Sequence, residues 1–501
     1  MNGTENEMKM KLKKILKNIP VKEVRGSGDI EITGLCSNSK LAFPGCLFIA
    51  RKGKKESGDK YIPEALLAGA AAVVTDIANP FIEATQVIHP DVFSIEGILA
   101  ATYYQFPSND LFMVGITGTN GKTTTSFLVK RLLDRLKQKS GLVGTIEYVI
   151  GDHCYPATRT TPDVIQNHKM LREMLLQGCK SAVMEVSSHA LDQNRVEHID
   201  FDISIFTNLT LEHLDYHETM DAYAAAKAKL FADIGNSKKK KIGIANQDSP
   251  WMEKIVSGSP FSVWTYGIES QADIQAKNIC LFSDHTIFDV LYKGKIFACK
   301  SPLIGRFNVY NYLAAIGVGL AKNEPIEKLI AIMAEDFAVP GRLERISNSL
   351  NRTIYVDFAH SDDALFNVLY TLNEMKTKRI ITVFGCGGDR DKSKRPKMAQ
   401  AAEKFSDITI VTSDNPRTEN PEMIMEEIAA GFKTKNYKLE ADRYLAIKLA
   451  IDLSEEGDIV LIAGKGHEAY QIFSHQTIEF DDRKVAHELA EEKHRNQELV
   501  R

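Results

Sequence analysis

The chain has 501 residues, 44% of them hydrophobic and 26% charged, with 62 Lys and Arg against 66 Asp and Glu for a formal net charge of −4. At roughly 100–200 residues per domain this length implies about three domains rather than one core. The composition excludes a disordered or fibrous protein, and the balanced charge offers no global field for nucleic acid or a membrane surface.

The seven cysteines (Cys36, Cys46, Cys154, Cys179, Cys280, Cys299, Cys386) are odd in number and never form a C-x-x-C pair. That spacing opposes a disulfide framework or a zinc site and suits a reducing compartment. No run approaches the ~20 apolar residues of a membrane span, and no apolar signal core follows the polar Met1-Asn-Gly-Thr-Glu-Asn-Glu7. A cytoplasmic, soluble protein is expected, a monomer with no nucleic-acid or membrane partner.

In chain order, residues 1–107 hold short apolar runs such as Cys46–Ala50, and an alanine-rich segment, Glu64–Val74, that predicts a helix running into a strand. Phe106-Pro107 followed by Ser-Asn-Asp is a breaker cluster and marks a linker. From there to about residue 338, apolar runs (Phe112–Thr117, Ser181–Val186, Ile203–Thr207, Lys241–Ala245) alternate with amphipathic helical segments, which predicts parallel βαβ units. A second break falls at Val339-Pro340-Gly341, and the pattern restarts with Thr353–Phe358, Arg379–Phe384, Asp407–Thr412 and Asp458–Ala463. Residues 339–501 therefore form one more α/β domain. Lysine-rich runs at Lys9–Lys14, Arg51–Lys55 and Lys238–Lys241 are expected as solvated surface.

The strongest chemical signal is Val114-Gly-Ile-Thr-Gly-Thr-Asn-Gly-Lys-Thr-Thr-Thr125, between a predicted strand and a helix beginning near Thr123. A glycine-rich turn there lets backbone N–H groups converge on phosphate oxygens at a helix N-terminus. Lys122 reaches the β/γ-phosphates of ATP and the Thr123 hydroxyl suits Mg2+. The spacing departs from the plain P-loop, because Ile116 stands at its first glycine.

Glu185 ends an apolar strand, where open α/β sheets bind ligands, and a carboxylate there suits Mg2+ beside the phosphate loop. His213 and His217 are four residues apart, so a zinc pair deserves consideration. The glutamate of H-E-x-x-H is missing, and a histidine near a metal–phosphate centre or a buried hydrogen-bonded one is preferred. Lys227 and Lys229 lie on an alanine-rich segment that by default is an ordinary helix with exposed lysines.

In the last region four polar loops follow four predicted strands: Asp357 with His360, Gly385-Cys-Gly-Gly-Asp-Arg390, Asp414-Asn-Pro-Arg417, and Gly464-Lys-Gly-His-Glu468. They converge on one sheet edge, as in a doubly wound domain. Arg390 and Arg417 offer forked donors for a carboxylate and Glu468 a charge for an ammonium, which together suit a zwitterionic amino acid. ATP on one domain and an amino acid on the next imply that ATP activates another molecule to receive the amine.

Taken with Gly305-Arg-Phe-Asn-Val-Tyr-Asn311 and Pro340-Gly-Arg-Leu-Glu344, these motifs resemble the Mur ligases of peptidoglycan synthesis over nearly the whole chain, most closely the branch that makes the UDP-N-acetylmuramoyl-tripeptide. The resemblance implies three domains: a small N-terminal α/β UDP-binding domain (1–107), a central P-loop ATPase-like domain (108–338) and a C-terminal Rossmann-like domain (339–501). It implies a ligase that uses ATP and Mg2+ to join meso-diaminopimelate to UDP-MurNAc-L-Ala-D-Glu through an acyl phosphate. Asp-Asn-Pro-Arg marks the diaminopimelate-adding members; lysine-adding relatives lack the arginine.

Roles follow by resemblance at matching positions. Gly118, Thr119, Asn120, Gly121, Lys122, Thr123 and Thr124 would cradle ATP, with Asn308 and Asn311 near the adenine, Arg342 at the phosphates and Asp357 at the ribose. Glu185, His213 and Thr123 would serve the metal ions. Lys227 looks like the lysine that the family carbamylates to N6-carboxylysine, turning an ammonium into an anion for a second Mg2+; Lys229 is out of that register. Ser39, Thr160, Thr161, Ser187 and Arg195 would meet the UDP-sugar dipeptide. Arg390, Asp414, Asn415, Pro416, Arg417, Gly464 and Glu468 would hold diaminopimelate.

Two departures bear on local loops: Asn38-Ser39-Lys40 stands for the family's Asp-Ser-Arg, and Ser361-Asp362 for its Thr-Pro. Rival readings are a lysine-adding or folylpolyglutamate-forming relative, opposed by the Ser39 region and Arg417. A catalytically dead binding or scaffold protein is opposed by Lys122, Glu185 and His213 together.

Overall fold

The computed structural model describes residues 8–53, 56–232 and 239–500, so Lys54, Lys55 and Lys238 of the lysine runs lie outside the described residues. The described residues build three large sheets, each with helices packed against it, and two two-stranded ribbons, in agreement with the expected α/β class.

The first sheet contains β1 (Glu23–Arg25), β2 (Gly34–Cys36), β3 (Cys46–Ile49), β4 (Ala72–Thr75) and β5 (Thr85–Ile88) in the order β1-β5-β4-β3-β2, parallel except for β1. The expected helix into strand is α1 (Ile62–Leu67) followed by β4. Helix α2 (Val92–Tyr103) starts where the Asp91 side chain accepts from Ser94 N–H, and buries Ile95 and Leu99 against Leu35, Leu47, Val74 and Val87. Phe106, left-handed at φ 49°, turns the chain out of this unit just before Pro107.

The second sheet has eleven strands. In chain order its elements are β6 (Phe112–Thr117), α3 (Lys122–Arg135), β7 (Ser140–Val143), β8 (Glu147–Ile150), β9 (His153–Pro156), α4 (Val164–Leu176), β10 (Ser181–Glu185), α5 (Ser188–Asp192), β11 (Ile203–Phe206), α6 (Leu214–His217), α7 (Met220–Ala228), β12 (Ile242–Asn246), β13 (Val263–Gly267), β14 (Ile274–Leu281), β15 (Thr286–Tyr292), β16 (Lys295–Ser301) and α8 (Arg306–Ala321). The order is β9-β8-β7-β10-β6-β11-β12-β13-β14-β15-β16, with β7 to β14 parallel and antiparallel arms at both ends. Parallel strands covered on both faces need continuous apolar runs, which is why Met113–Thr117 and Ser181–Glu185 are buried throughout. Helices α3 and α8 cover one face through Leu128, Leu132, Val309 and Leu313; α4 and α7 cover the other through Leu171, Met174, Tyr223 and Ala224.

The antiparallel arms were not foreseen, although one carried a local signal. Lys293-Gly294 joins β15 to β16 with both residues at positive φ (49° and 74°), the geometry of a two-residue hairpin turn.

The third sheet comprises β17 (Glu344–Arg345), β18 (Thr353–Asp357), β19 (Ile380–Phe384), β20 (Ile408–Val411), β21 (Tyr437–Leu439) and β22 (Ile459–Ala463), ordered β17-β18-β22-β19-β20-β21 and parallel except for β17. Helices α9 (Asp362–Met375), α10 (Lys394–Phe405) and α11 (Pro421–Ala429) bury one face; α12 (Arg443–Leu453) and α13 (Asp482–Val500) bury the other. This is the doubly wound arrangement the sequence predicted, with β18, β22, β19 and β20 side by side and their four loops at one edge.

Both departures from the family pattern keep their local chemistry. Ser361 caps α9, its hydroxyl accepting from Ala364 N–H at 3.3 Å, and Asp362 follows as a first-turn acid. Asn38 accepts from Lys40 N–H at 3.1 Å, the same turn an aspartate would make.

Candidate active site

The phosphate loop leaves β6 between the ends of β10 and β11, so two neighbouring strands supply its walls. Gly118 (φ 149°) and Gly121 (φ 85°) occupy conformations closed to side chains, and a Cβ on Gly118 would lie 1.9 Å from the Thr207 hydroxyl. The residues after β11 pin the loop. Thr119 N–H donates to Asn208 O at 2.8 Å, Asn120 N–H to Asn208 Oδ1 at 2.9 Å, and Thr207 Oγ1 to Asn120 O at 2.7 Å.

Lys122 opens α3 and folds back on the loop, donating to Gly118 O at 2.9 Å and Thr119 O at 2.7 Å. From α7, Lys227 Nζ reaches the same Gly118 carbonyl at 2.8 Å and stands 4.5 Å above the Tyr223 ring. Its side chain is only 1% exposed, so the default of an exposed helical lysine is corrected for Lys227. The face of α7 that bears it packs onto the loop. Lys229 sits outside, at 3.5 Å from Asp192, and is half-exposed. Burial, with Lys122 beside it, pushes Lys227 well below the ordinary lysine range, and burial also lowers Lys122.

Glu185, fully buried at the end of β10, accepts from Thr123 Oγ1 at 3.0 Å, Thr145 N–H at 2.9 Å and Thr145 Oγ1 at 3.0 Å. Thr145 carried no motif in the sequence. Next to it Thr160 meets Thr145 Oγ1 at 3.1 Å, and Thr161 Oγ1 donates to Glu185 O at 2.8 Å and accepts from Ser187 N–H at 3.1 Å. Arg195 donates to Thr161 O at 2.9 Å and to Gln193 Oε1 at 2.7 Å.

His213 is the left-handed residue before the short helix α6, exposed at the mouth of the site, where desolvation still lowers its pKa. His217 is buried: its Nε2 meets Ser188 Oγ at 3.0 Å and its ring stacks on Tyr223. His189 lies 5.0 Å from His213 and 5.4 Å from His217 between ring centroids. Among the described residues no group of three or more His, Cys, Asp or Glu is arranged to hold a metal ion alone, and His217 is the hydrogen-bonded histidine rather than half of a zinc pair.

Asn308 and Asn311 are buried at the start of α8, beneath the loop. Asn311 Oδ1 accepts from Thr125 Oγ1 at 3.1 Å, and its amide donates to Asn308 Oδ1 at 3.0 Å. Thr124, the residue before that Thr125 on α3, is buried. Arg342 comes from the segment leading into the third sheet; it donates to Thr123 Oγ1 at 3.1 Å and lies over the Phe358 ring. Asp357, at the end of β18, accepts from Leu343 and Ala359 N–H (2.6 and 2.7 Å) and so fixes the Arg342 segment. Burial raises its pKa against the pull of Arg342.

At the third sheet's edge, Asn415 Nδ2 donates to Glu468 Oε2 at 2.9 Å, and the fully buried Lys465 donates to Asn415 Oδ1 and Glu468 Oε2 at 3.2 and 3.3 Å. Asp414 accepts from Asn415 N–H at 2.6 Å, with Gly464 beside its other carboxylate oxygen. Pro416 ends at Arg417 (φ 53°), whose Nη1 donates to Gly388 O at 2.7 Å. Arg390 is exposed and opens on a cavity of about 570 Å3 shared with Asp215, Asp389, Asp391, Lys392 and Glu419.

Two buried arginines behind these loops escaped the sequence reading. Arg443 grips Asp482 with two bonds of 2.7 Å and donates to Ser413 O and Ala463 O, the residues just before Asp414 and Gly464. Arg395 holds Glu419 and Glu427. In the first unit, Ser39 opens the 3-10 turn after β2, is buried and donates to Glu64 Oε2 at 2.6 Å.

Comparison with known proteins finds the Mur ligase middle domain over residues 116–319 and the Mur ligase glutamate ligase domain over 341–466. A UDP-N-acetylmuramoyl-L-alanyl-D-glutamate–2,6-diaminopimelate ligase from Chlamydia felis is 44% identical over 485 residues, 96% of this chain and 99% of its own. A solved structure of a ligase of that name superposes with a TM-score of 0.70 at 31% identity, covering 97% of this chain and 100% of its own. The Thermotoga maritima MurF ligase in complex with ADP shares the fold at 20% identity, with a TM-score of 0.63 over 93% of this chain and 98% of its own.

Proposed function

The chain belongs to the Mur ligases, in the branch of UDP-N-acetylmuramoyl-L-alanyl-D-glutamate–2,6-diaminopimelate ligases, and from that premise we propose that it joins meso-diaminopimelate to UDP-MurNAc-L-Ala-D-Glu at the expense of ATP in peptidoglycan precursor synthesis. The observation that supports this most is the pairing of two sites of opposite design. Two lysines, Lys227 buried and Lys122 half-buried, converge on the phosphate loop of the second unit, and a mixed-charge loop edge built around Arg417 and Glu468 stands on the third.

The D-glutamate carboxylate attacks the γ-phosphorus of ATP, the bond to the β-phosphate oxygen breaks, and an acyl phosphate and ADP result. The amine of diaminopimelate then adds to the acyl carbon, phosphate leaves with the C–O bond, and the amine gives up a proton. Lys122 swings from the Gly118 and Thr119 carbonyls to the phosphates, and Arg342 approaches them from the third unit. Thr160, Thr161, Ser187 and Arg195 line the path of the UDP-sugar dipeptide toward Glu185, with Ser39 at its nucleotide end. Asp414, Asn415, Arg417, Gly464 and Glu468 hold the amino acid, with Arg390 and the Pro416 turn shaping its entrance.

The residues present fit Mg2+. The Glu185 carboxylate is buried among hydroxyl and amide donors, and with Thr123 Oγ1 it forms a hard oxygen set at the phosphate loop. Bound there, with His213 at the mouth, the ion would neutralise phosphate charge. Lys227 suits carbamylation, because burial and the neighbouring Lys122 favour its uncharged amine, the form that adds to CO2. The product places an anion beside Lys122, where a charged Lys227 would crowd a second cation. We place the enzyme in the cytoplasm as a monomer; no helix among the described residues is long and apolar enough to cross a membrane.

Phosphate release from ATP and UDP-MurNAc-L-Ala-D-Glu, measured side by side with diaminopimelate, lysine and a folate substrate, tests the reading. Turnover with diaminopimelate alone is expected. Turnover only with lysine would assign the chain to the lysine-adding branch.

A further inference from the structure

Asp363 stands outside every role described so far. It is the second residue of α9 in the third unit, yet its carboxylate points into the second. Oxygen Oδ2 accepts from Asn120 Nδ2 at 2.9 Å and from Thr210 Oγ1 at 3.0 Å, across 243 and 153 residues of sequence. The Asn120 backbone is occupied inside the second unit by Asn208 and Thr207, so its side-chain amide is the part that reaches across. Thr210 belongs to the same clamp, its N–H donating to Thr119 Oγ1 at 3.1 Å. One carboxylate oxygen of the amino-acid unit therefore binds both halves of the clamp that shapes the phosphate loop.

A first-turn acid that only stabilised its own helix would need no such partners. The half-buried carboxylate gives up water for two neutral donors, an arrangement that holds only while the two units are in register. The chemistry gives that register a use. The acyl phosphate forms over the second unit, and the amine that consumes it waits on the third. Water must be kept out between the two steps.

Resting on the ligase reading above, we propose that Asp363 is a positioning residue that fastens the amino-acid unit to the phosphate loop, so that the acyl phosphate forms only where the amine already faces it. In Asp363→Ala the loop and the amine lose their common anchor. Losing these charge-assisted bonds raises the KM for diaminopimelate roughly tenfold. Phosphate release then exceeds amide formation because the acyl phosphate leaks to water, while ATP binding measured without the amine stays that of the wild type. Asp363→Asn keeps an acceptor oxygen and falls between. Thr210→Val adds little on top of Asp363→Ala, because both act through one bond set.

The test compares phosphate and amide yields, diaminopimelate KM and Tm across these variants. A one-to-one yield with unchanged KM in Asp363→Ala overturns the proposal, including where Tm alone falls, since that is a structural cap. A wild type whose phosphate release ignores diaminopimelate overturns the ligase reading instead. The anchor is then judged by the distance between spin labels on exposed residues of the two units, with Cys154 and Cys280 replaced by Ser. A distribution broader in Asp363→Ala than in wild type supports the anchor, and an identical one overturns it.

Discussion

The second and third units use charge in opposite ways. At the phosphate loop, Lys122 and Lys227 donate to backbone carbonyls and to no carboxylate; Lys227 is buried, Lys122 partly so, and both are depressed in pKa. At the proposed amino-acid edge the charges behind the loops are matched, Glu468 by Lys465, Arg443 by Asp482 and Arg395 by Glu419 and Glu427, while Arg417 donates to the Gly388 carbonyl. A loop that receives a polyanion keeps positive potential in reserve, at a cost in stability. An edge that receives a zwitterion has no net charge to gain, and works instead by holding its donors and acceptors at fixed spacing.

The largest test of this contrast is Lys227→Ala. Removing a buried amine that has no anionic partner and lies beside Lys122 relieves the resting protein, so Tm is expected to hold or rise. Activity should nevertheless fall by roughly two to three orders of magnitude, the scale of losing one electrostatic group at a reacting centre. Short-chain carboxylates should restore part of the rate by supplying the anion that the carbamate would place there. A variant of full activity, or one that no carboxylate rescues, removes Lys227 from the chemistry.

At the other edge the effect should be smaller and confined to one substrate. In Arg417→Lys the forked guanidinium becomes a single point charge. The diaminopimelate KM is expected to rise on the order of tenfold, as for a lost charge-assisted bond, with kcat and the ATP KM nearly constant. The preference for diaminopimelate over lysine should narrow by the same factor. A parallel fall in kcat would mean that Arg417 serves the reaction rather than recognition, and the contrast between the two units would lose its basis.

The parts of this design that were legible in the sequence are those whose chemistry is local. The phosphate loop, Glu185 at a strand end and the four loops of the third sheet each announce themselves within a few residues. The strands predicted at Phe112–Thr117, Arg379–Phe384 and Asp458–Ala463 are present within a residue, because parallel strands covered on both faces must be continuously apolar. What was missed acts at a distance. Arg443 and Asp482 are 39 residues apart and bind loop carbonyls, which have no side-chain signature. The burial of Lys227 depends on which face of α7 meets the loop, and a short alanine-rich helix carries too little periodicity to say. Thr145 and Asp363 matter only through partners that folding brings to them.

The smallest effect is an acid response, and it can be assigned to one side chain. His467, in the third unit's Gly-rich loop, is pushed down to about 3 by burial and by Arg342, Arg483 and Lys465 around it. A histidine held neutral in the fold but free to protonate at about 6.5 when unfolded contributes stability that is complete above pH 6.5 and is lost progressively as pH falls toward 3. Glu197 works the other way: burial and the nearby Glu96 raise it to about 7, so it takes up a proton in the fold and gains stability over part of the same range. His168 and His189, each pushed down to about 4 chiefly by burial, act in the same direction as His467, so the net wild-type curve blends several groups. The difference between wild type and His467→Gln cancels these contributions. It should shrink between pH 6.5 and 5 by at most about 1.4 kcal/mol per pH unit, the limit for one proton. Denaturant unfolding of the two proteins at pH 7, 6 and 5 measures it. A difference that does not change with pH would mean that His467 titrates as it does in water, and that the third unit's loops are less tightly closed around it than the packing of Phe358 and Arg342 requires.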